Sequence, residues 1–345
     1  MSKKDLDWGN IGFQYRVTDK RYVSNYKDGA WDEGGLVDDP MMTVSESANI
    51  MQYCQEVFEG LKAYETVDGR IVTFRPDLNA KRMADSARRM VMPPFPEERF
   101  LEAVDLTVAA NADWVPPYGT GATLYIRPFM VGTAPVIGVQ PATEFQFRMF
   151  TTPVGPYFKG GATPVAITTC DYDRAAPHGT GNIKAGLNYA MSLLQTVEAH
   201  KNGYAENMYL DAATRTLVEE TGGSNIFFVT KEGKIVVPKS DSILPSITRR
   251  SVVYVAENLL GIEVEQRPVE FSEIPSFTEC GLCGTAAVIS PVGRIHNHTE
   301  STDILIPSGM DAPGPVTAKL YDTLTGIQYG TIEAPEGWIH EIKVD

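Results

Sequence analysis

Lys184 lies among small residues, in residues 178–189 with the sequence His-Gly-Thr-Gly-Asn-Ile-Lys-Ala-Gly-Leu-Asn-Tyr. A lysine that forms a Schiff base with a flat aldehyde cofactor needs backbone close to it, and glycine and alanine permit that approach. Such a cofactor also needs a carboxylate beside its ring nitrogen and N–H-rich turns for its phosphate. Residues 218–225 and 283–286 supply candidates for both. A lysine taken alone is most often a solvated charge, but the three clusters together indicate Schiff-base chemistry.

Further short segments precede and follow Lys184 in one order. They are Val57-Phe-Glu-Gly-Leu-Lys-Ala63, Thr73-Phe-Arg-Pro76 with Ala80-Lys-Arg-Met83, Leu124-Tyr-Ile-Arg-Pro128, Pro153-Val-Gly-Pro-Tyr-Phe158, Leu244-Pro-Ser-Ile-Thr-Arg249 and Gly284-Thr-Ala286. With Lys184 and Glu220, this series resembles the pyridoxal-phosphate enzymes of fold type IV and, within them, the branched-chain-amino-acid aminotransferases. Several motifs in one order are far more specific than any single motif.

The resemblance implies an α+β fold of mixed α/β character, with the two-domain architecture of fold type IV enzymes. A small N-terminal domain is predicted over residues 1–155, a linker over 156–170, and a large C-terminal domain with the cofactor lysine over 171–345. In this family the cofactor lies between the two lobes. The resemblance also implies a homodimer, and the loop at residues 136–140 is the candidate segment that crosses to the partner subunit.

The implied activity is a reversible transamination that belongs to branched-chain amino-acid biosynthesis. The amino group of L-leucine, L-isoleucine or L-valine passes to 2-oxoglutarate, which yields a branched 2-oxo acid and L-glutamate. Because an apolar pocket separates substrates that differ by one methylene by only about 1–3 kcal/mol, all three amino acids are expected to react.

The resemblance assigns the cofactor-binding residues. Lys184 is the Schiff-base lysine and the catalytic base. Glu220 is the carboxylate at the ring nitrogen, where an anion favours the charged pyridinium; adjacent strand residues point to opposite faces, so Glu219 points away. The sequence alone leaves Tyr189 equally able to be a core residue. The remaining cofactor-binding residues implied are Arg82 for the phosphate, Tyr189 for the phenolic oxygen, and Gly223, Ser224, Ile247, Thr248 and Thr285 as further phosphate donors.

The resemblance also implies the substrate-binding residues. Aromatic side chains line an apolar pocket, and Arg127 with the Tyr125 hydroxyl receives the glutamate γ-carboxylate. Backbone N–H groups of Thr285 and Ala286 hold the α-carboxylate. Any one of these aromatic residues, taken alone, is more often ordinary core. The full set is Phe13, Tyr53, Phe58, Tyr125, Arg127, Tyr157, Thr285 and Ala286.

Composition restricts the classes of partner. The formal net charge of −14 argues against a nucleic-acid partner. No apolar run reaches the roughly 18–20 residues of a membrane span, and the N-terminus has no apolar signal region, so a cytoplasmic location is expected. Cys280 and Cys283 form a C-x-x-C whose thiols are predicted to be structural or incidental, and the sequence leaves a redox role for the pair open. No metal site is expected, since His296 and His298 do not complete a ligand set.

Hydrophobic periodicity predicts mixed helices and strands in both halves. In the helix predicted from residue 187, the apolar residues Leu187, Ala190, Met191, Leu194 and Val197 recur at helical spacing, and Gly203 ends it. The predicted helices span residues 78–92, 97–113 and 246–260, and the predicted strands span 71–74, 122–130, 145–149, 208–210, 226–230 and 234–237.

The sequence also leaves two other classes of function open, a different fold type IV enzyme and a protein without enzymatic activity. Within fold type IV, the alternatives are a D-amino-acid aminotransferase and an aminodeoxychorismate lyase, which are shorter and lack the segments around Arg127 and Tyr157. Outside enzymes, the chain could be a soluble acidic binding protein, which would be colourless when purified.

Overall fold

The computed structural model describes residues 3–156 and 162–344. The chain divides into two compact units: the first comprises Met1–Pro156, Ile183–Gly186 and Gly326–Asp345, and the second comprises Tyr157–Asn182 and Leu187–Thr325. Each unit contains one β-sheet with accompanying helices. The predicted α+β class with mixed α/β character is therefore confirmed.

Two segments from the predicted C-terminal domain belong to the first unit. The predicted domain bounds stay a prediction. Ile183–Gly186 and Gly326–Asp345 belong to the first unit. The reason is backbone pairing, because Lys184 bonds to Phe58 and residues 339–342 pair with 71–74. Within the predicted linker, Val165–Thr169 forms a strand, while residues 157–161 lie outside the described residues.

The sheet of the first unit runs in the order β18-β6-β5-β7-β8-β1-β2, with β3 beside β1 and β4 beside β7. Its neighbouring strands are antiparallel. The predicted strands at 71–74, 122–130 and 145–149 all belong to it. The bounds are β1 Arg21–Lys27, β2 Ala30–Trp31, β3 Gly35–Val37, β4 Glu56–Phe58, β5 Leu61–Glu65, β6 Ile71–Phe74, β7 Thr123–Gly132, β8 Phe145–Val154 and β18 Ile339–Ile342.

Three helices accompany this sheet: α1 (Asn49–Tyr53), α2 (Pro76–Arg89) and α3 (Glu97–Ala109). Because apolar residues recur every three or four positions, α2 and α3 each bury one face. α3 buries Phe100, Val104 and Val108. α2 buries Ala80, Met83 and Ala87 in the same core. The opposite face of α2 carries exposed charges. This amphipathic helix therefore has a fixed rotation about its axis, which decides where each of its polar side chains points.

The sheet of the second unit runs in the order β11-β10-β9-β16-β15-β12-β13-β14, with β17 beside β16. β9 pairs in parallel with both β10 and β16, and β13 with β14, whereas the other pairs are antiparallel. The bounds are β9 Val165–Thr169, β10 Glu206–Leu210, β11 Val218–Thr221, β12 Asn225–Val229, β13 Ile235–Pro238, β14 Val264–Arg267, β15 Glu279–Gly284, β16 Val288–Asn297 and β17 Thr302–Leu305.

The helices after Lys184 differ from the predicted single helix. The chain forms α4 (Leu187–Ala190) and α5 (Leu193–Lys201), separated by Met191 and Ser192. The apolar residues of α5 that recur at helical spacing do not lie on its buried face. Leu194 and Val197 are 52% and 63% exposed, whereas Gln195 and Ala199 are buried. The apolar stripe of α5 therefore faces outward.

The predicted helix at 246–260 is present as α6 (Ile247–Tyr254), which continues into a π-helical turn at Val255–Leu259. The Ser246 side chain caps α6 and accepts a hydrogen bond from the Arg249 N–H at 3.2 Å. A last helix, α7, spans Pro315–Tyr329.

None of the helices in the described parts of the chain combines the length and apolar character needed to cross a bilayer. Over residues 3–156 and 162–344, no group of three His, Cys, Asp or Glu side chains is arranged to hold a metal ion.

Glu206 on β10 is a buried carboxyl beside a turn of the second unit. It accepts hydrogen bonds from the Gly223 N–H at 2.8 Å and the Thr221 hydroxyl at 3.3 Å. Burial nevertheless raises the pKa of Glu206 from 4.5 to about 7, because desolvation disfavours the ionised form. The folded protein therefore keeps a proton that the unfolded chain loses at lower pH.

The free energy of unfolding should fall as pH rises from about 4.5 to about 7, by an amount on the order of 3 kcal/mol for this group. Below this window the carboxyl is protonated in both states, and above it the loss is complete. Glu206→Gln should lack this decrease. Urea unfolding across the window measures it, with exposed Glu198→Gln as the control. Parallel stability curves for the wild type and Glu206→Gln would contradict the prediction.

Candidate functional site

The backbone at Lys184 is held in the first unit by two hydrogen bonds. The Phe58 N–H donates to the Lys184 carbonyl at 3.0 Å, and the Lys184 N–H donates to the Ser86 hydroxyl at 3.1 Å. The half-buried side chain places its Nζ 4.7 Å from the centre of the Phe58 ring. Strand β4 and helix α2 therefore position this lysine, and its amine lies against an aromatic surface.

The small residues around Lys184 are required by close packing. Ala185 is fully buried, and the Gly186 N–H donates to the Glu56 carboxylate. A Cβ at Gly186 would overlap that same carboxylate. Burial raises the pKa of Glu56, and the positive charge of Arg127 partly offsets this rise. At Gly186 the group that approaches the backbone closely is the Glu56 carboxylate, and the approach of a cofactor to this segment stays a prediction.

Arg82 on α2 differs from the other cations of its helix because it is buried. Its Nε donates to Glu59 Oε1 at 2.7 Å and its Nη2 donates to Glu59 Oε2 at 2.8 Å. Lys81, Arg88 and Arg89 are exposed. The sequence could not separate Arg82 from these neighbours without the family resemblance, but the rotation of α2 does so.

The predicted substrate-side residues Phe13, Phe58, Tyr125 and Arg127 lie together in the first unit. The Arg127 guanidinium lies 4.9 Å from the Phe58 ring centre and 5.3 Å from that of Tyr125, and its Nη2 donates to the Tyr125 hydroxyl at 3.2 Å. The ring centres of Phe13 and Tyr125 are 5.7 Å apart, edge to face. Gly60 makes this arrangement possible, since a Cβ there would overlap the Tyr125 hydroxyl.

Arg127 has a group available for a ligand. Its Nε is buried and has no hydrogen-bond partner within the described residues. An unpaired buried donor is costly unless something accepts from it. A guanidinium beside two aromatic rings suits a ligand with both an apolar part and a carboxylate.

Tyr53 lies at the C-terminal end of α1, and its hydroxyl donates to the Ile137 carbonyl. The loop at 136–140 is thus attached to its own chain through Tyr53, and also through Asn49, which donates to the Gln140 carbonyl at 2.8 Å. Ile137 and Val139 are nevertheless 80% and 88% exposed. The predicted substrate residue Tyr157 lies outside the described residues.

In the second unit, Glu220 on β11 is a fully paired carboxylate. It accepts hydrogen bonds from the Asn225 side chain at 2.6 Å and from the Leu244 N–H at 2.7 Å, and it forms a buried ion pair with Arg174. Burial raises the pKa of Glu220, while the charge of Arg174 and the Leu244 amide lower it. Arg174 was not identified from the sequence, although it lies ten residues before Lys184.

Glu219 points elsewhere, as the alternation of a strand requires. It is also buried rather than solvated, and it accepts hydrogen bonds from the hydroxyls of Ser240 and Ser242. The two adjacent glutamates therefore have separate sets of partners.

The predicted phosphate donors of the second unit lie on turns at strand and helix ends. Asn225 pairs with Cys283, so the turn at Gly223 and Ser224 lies beside Gly284, and Thr285 follows immediately. Ile247 and Thr248 form the first turn of α6, where free N–H groups suit an anion. Ala286 lies in the same turn as Thr285, and half-buried Tyr189 lies on α4.

Cys280 and Cys283 are both buried on β15 as free thiols. Burial raises the pKa of Cys283 to about 12 and holds the pKa of Cys280 well above its ordinary value. A thiol that stays protonated is a poor nucleophile. Their surroundings agree with the structural role predicted for this pair.

Comparisons with known proteins agree with this arrangement. Residues 56–295 match the family model described as amino-transferase class IV. The chain is 49% identical to the branched-chain-amino-acid aminotransferase of Haemophilus influenzae, over 99% of this chain and 100% of that protein. The crystal structure of the Escherichia coli branched-chain amino acid aminotransferase superposes with a TM-score of 0.80 at 27% identity, covering 94% of this chain and 100% of that one.

A second solved structure bears on the cofactor. The branched-chain amino acid aminotransferase of Thermobaculum terrenum, in its pyridoxal-phosphate form, superposes with a TM-score of 0.77 at 26% identity and covers 95% of this chain and 100% of that one. These relatives favour the main reading over the fold type IV alternatives and over a binding protein without chemistry. The fold is that of fold type IV, the cofactor is pyridoxal phosphate, and the chain belongs to the branched-chain-amino-acid aminotransferases of the class IV family.

Proposed function

We propose that this branched-chain-amino-acid aminotransferase binds its pyridoxal phosphate through Lys184. The observation that carries the proposal is the placement of the Lys184 amine over the Phe58 ring, on a backbone held by Phe58 and Ser86. The described residues fit the cofactor, because the chain offers a buried guanidinium at Arg82 for the phosphate and a buried carboxylate at Glu220 for the ring nitrogen. Ser224, Ile247, Thr248 and Thr285 are the further phosphate donors that we propose, and Tyr189 is the proposed donor to the phenolic oxygen. Gly223 belongs to the same turn as Ser224, but its N–H already donates to Glu206.

Bound pyridoxal phosphate supplies the ring that accepts the electron pair when the substrate Cα–H bond breaks. Lys184 Nζ is the base that takes the Cα proton. Glu220 would face the ring nitrogen and hold a proton on it, and the positive charge of Arg174 partly offsets the rise in the pKa of Glu220 that burial causes. Asn225 and the Leu244 amide hold the carboxylate in one orientation.

Lys184→Ala should abolish transamination from leucine to 2-oxoglutarate. Borohydride reduction of the wild-type enzyme, followed by peptide mapping, should find the pyridoxyl group on Lys184. Lys62 is the internal control, because burial lowers its pKa to about 8. A pyridoxyl group on Lys62, or full activity in Lys184→Ala, would overturn the assignment.

We further propose that Arg127 and Tyr125 receive the glutamate γ-carboxylate, while Phe13, Tyr53, Phe58, Tyr125 and Tyr157 wall the apolar pocket and the Thr285 and Ala286 amides hold the α-carboxylate. Support comes from the buried Arg127 Nε and from the packing of its guanidinium on two aromatic rings. The aromatic faces accept an aliphatic side chain, and the guanidinium accepts a carboxylate. One pocket can therefore bind both classes of substrate.

Arg127→Ala should raise the KM for 2-oxoglutarate by roughly tenfold or more and that for leucine far less, because only the dicarboxylate uses the buried charge. Steady-state kinetics with both substrates measure the split. Arg148→Ala is the control, because buried Arg148 on β8 bonds to the carbonyls of Met41 and Asp39 instead. Equal changes for the two substrates in Arg127→Ala would make Arg127 a structural residue.

We also propose a homodimer in which the loop at 136–140 contacts the partner subunit. Support comes from the exposure of Ile137 and Val139 in this loop and from the outward apolar stripe of α5. Exposed apolar side chains in such clusters are typical of association surfaces, and two-fold pairing is the commonest form of oligomer. The cytoplasmic location stays a prediction.

Ile137→Asp combined with Val139→Asp should lower the dimer's stability and its activity, because two charges would be buried in an apolar contact. Light scattering over a range of protein concentrations measures the association. Val67→Asp, at an exposed valine between β5 and β6, is the matched control. If the double variant keeps the wild-type mass and activity, the loop takes no part in association. An active wild-type monomer would exclude the dimer itself.

A further inference from the structure

The partner of Arg82 is a carboxylate that the proposed chemistry does not use. Glu59 directly follows β4 and is fully buried. Its Oε1 accepts from Arg82 Nε, while its Oε2 accepts from Arg82 Nη2 at 2.8 Å, from Asn79 Nδ2 at 2.7 Å and from the Gly60 N–H at 3.2 Å. Four donors thus converge on one carboxylate, and two of them come from the same guanidinium.

This geometry restricts the guanidinium more than a single hydrogen bond would. A two-point contact between guanidinium and carboxylate fixes both the position and the plane of the fork. A buried ion pair is weak evidence for stability, since removing two charges from water costs about as much as their attraction returns. The orientation of Arg82 is therefore the property that this pair provides most directly.

The same elements also hold Lys184. On α2, Asn79, Arg82 and Ser86 follow one another at spacings of three and four, so they lie on one face. Asn79 and Arg82 bind Glu59, while Ser86 accepts from the Lys184 N–H. The adjoining Phe58 N–H donates to the Lys184 carbonyl. One helix face and the segment Phe58-Glu59-Gly60 thus position both Arg82 and Lys184.

We infer that Glu59 is a positioning residue for cofactor binding, which holds the Arg82 guanidinium in the orientation that receives the cofactor phosphate. This inference rests on the proposed role of Arg82. Glu59 acts through Arg82 rather than through direct contact with the phosphate, because a carboxylate repels a phosphate at short range. Its contribution is the fixed direction of the guanidinium, and this outweighs the negative charge that it adds nearby.

The test measures the affinity of cofactor-free protein for pyridoxal phosphate and, separately, for pyridoxal, which lacks the phosphate. Quenching of tryptophan fluorescence gives both dissociation constants. Glu59→Gln should raise the Kd for pyridoxal phosphate by roughly tenfold or more, because Arg82 loses a buried charged partner, and should leave the Kd for pyridoxal nearly unchanged. Asp85→Asn is the matched control, since Asp85 pairs with Arg88 on the exposed face of the same helix.

A double-mutant cycle with Arg82→Met separates positioning from general structure. Once Arg82 is absent, Glu59→Gln should have no further effect on the Kd for pyridoxal phosphate relative to pyridoxal. Three results would overturn the inference. They are a rise in both dissociation constants, tighter binding of pyridoxal phosphate by Glu59→Gln, and additive effects of the two substitutions on the Kd for pyridoxal phosphate. If Glu59→Gln does not fold, Asn79→Ala removes one donor from Glu59 and should give a smaller shift of the same phosphate-specific kind.

Failure of the proposed function gives a different result. If Arg82→Met itself leaves the preference for pyridoxal phosphate over pyridoxal unchanged, then Arg82 does not bind the phosphate. If the pyridoxyl group maps to a lysine other than Lys184, the site is elsewhere. If Glu59→Gln leaves the Kd for pyridoxal phosphate unchanged, while Arg82→Met and the peptide mapping give the expected results, only the positioning role of Glu59 is refuted.

Discussion

The hydrogen bonds that hold the backbone of Lys184 are the constraint on which the placement of the candidate site residues in the first unit depends. Phe58 and Ser86 bind the carbonyl and the N–H of one residue, so the lysine keeps a fixed place relative to β4 and α2. Next to Lys184 the chain is tightly packed, since Ala185 is fully buried and a Cβ at Gly186 would overlap the Glu56 carboxylate. The Lys184 amine lies over the Phe58 ring, and the Arg127 guanidinium lies over the same ring.

Buried charges occur in pairs in both units, for the same electrostatic reason. A carboxylate that leaves water needs an opposite charge or several donors to remain ionised. Glu59 has Arg82 and Asn79, while Glu220 has Arg174, Asn225 and the Leu244 amide. Glu206 has hydrogen bonds but no such cation, and burial moves its pKa to about 7. Burial raises the pKa of Glu220 as well, and the charge of Arg174 and the Leu244 amide offset only part of that rise.

Much of the candidate site was accessible from the sequence because its motifs are short and local. Lys184, Glu220 and Arg127 stand in segments that resemble the family, and the strands and helices that carry them were largely predicted from periodicity. The periodicity from residue 187 predicted one helix, whereas the chain forms α4 and α5. Apolar residues at helical spacing define one face of a helix, but they do not determine whether that face is buried. In this helix the stripe faces outward, and Gln195 and Ala199 face the sheet.

The sequence by itself determined the family and the separate directions of Glu219 and Glu220, and it predicted the chemistry of the lysine, because these depend on residue type and on the two-residue repeat of a strand. Only the tertiary structure decided which cation of α2 is buried, that Glu59 is its partner, and that Arg174 meets Glu220. These pairs join residues 23 and 46 positions apart in the chain. No local pattern encodes such a distance, since it is set by how helices and strands pack and by which charges that packing removes from water.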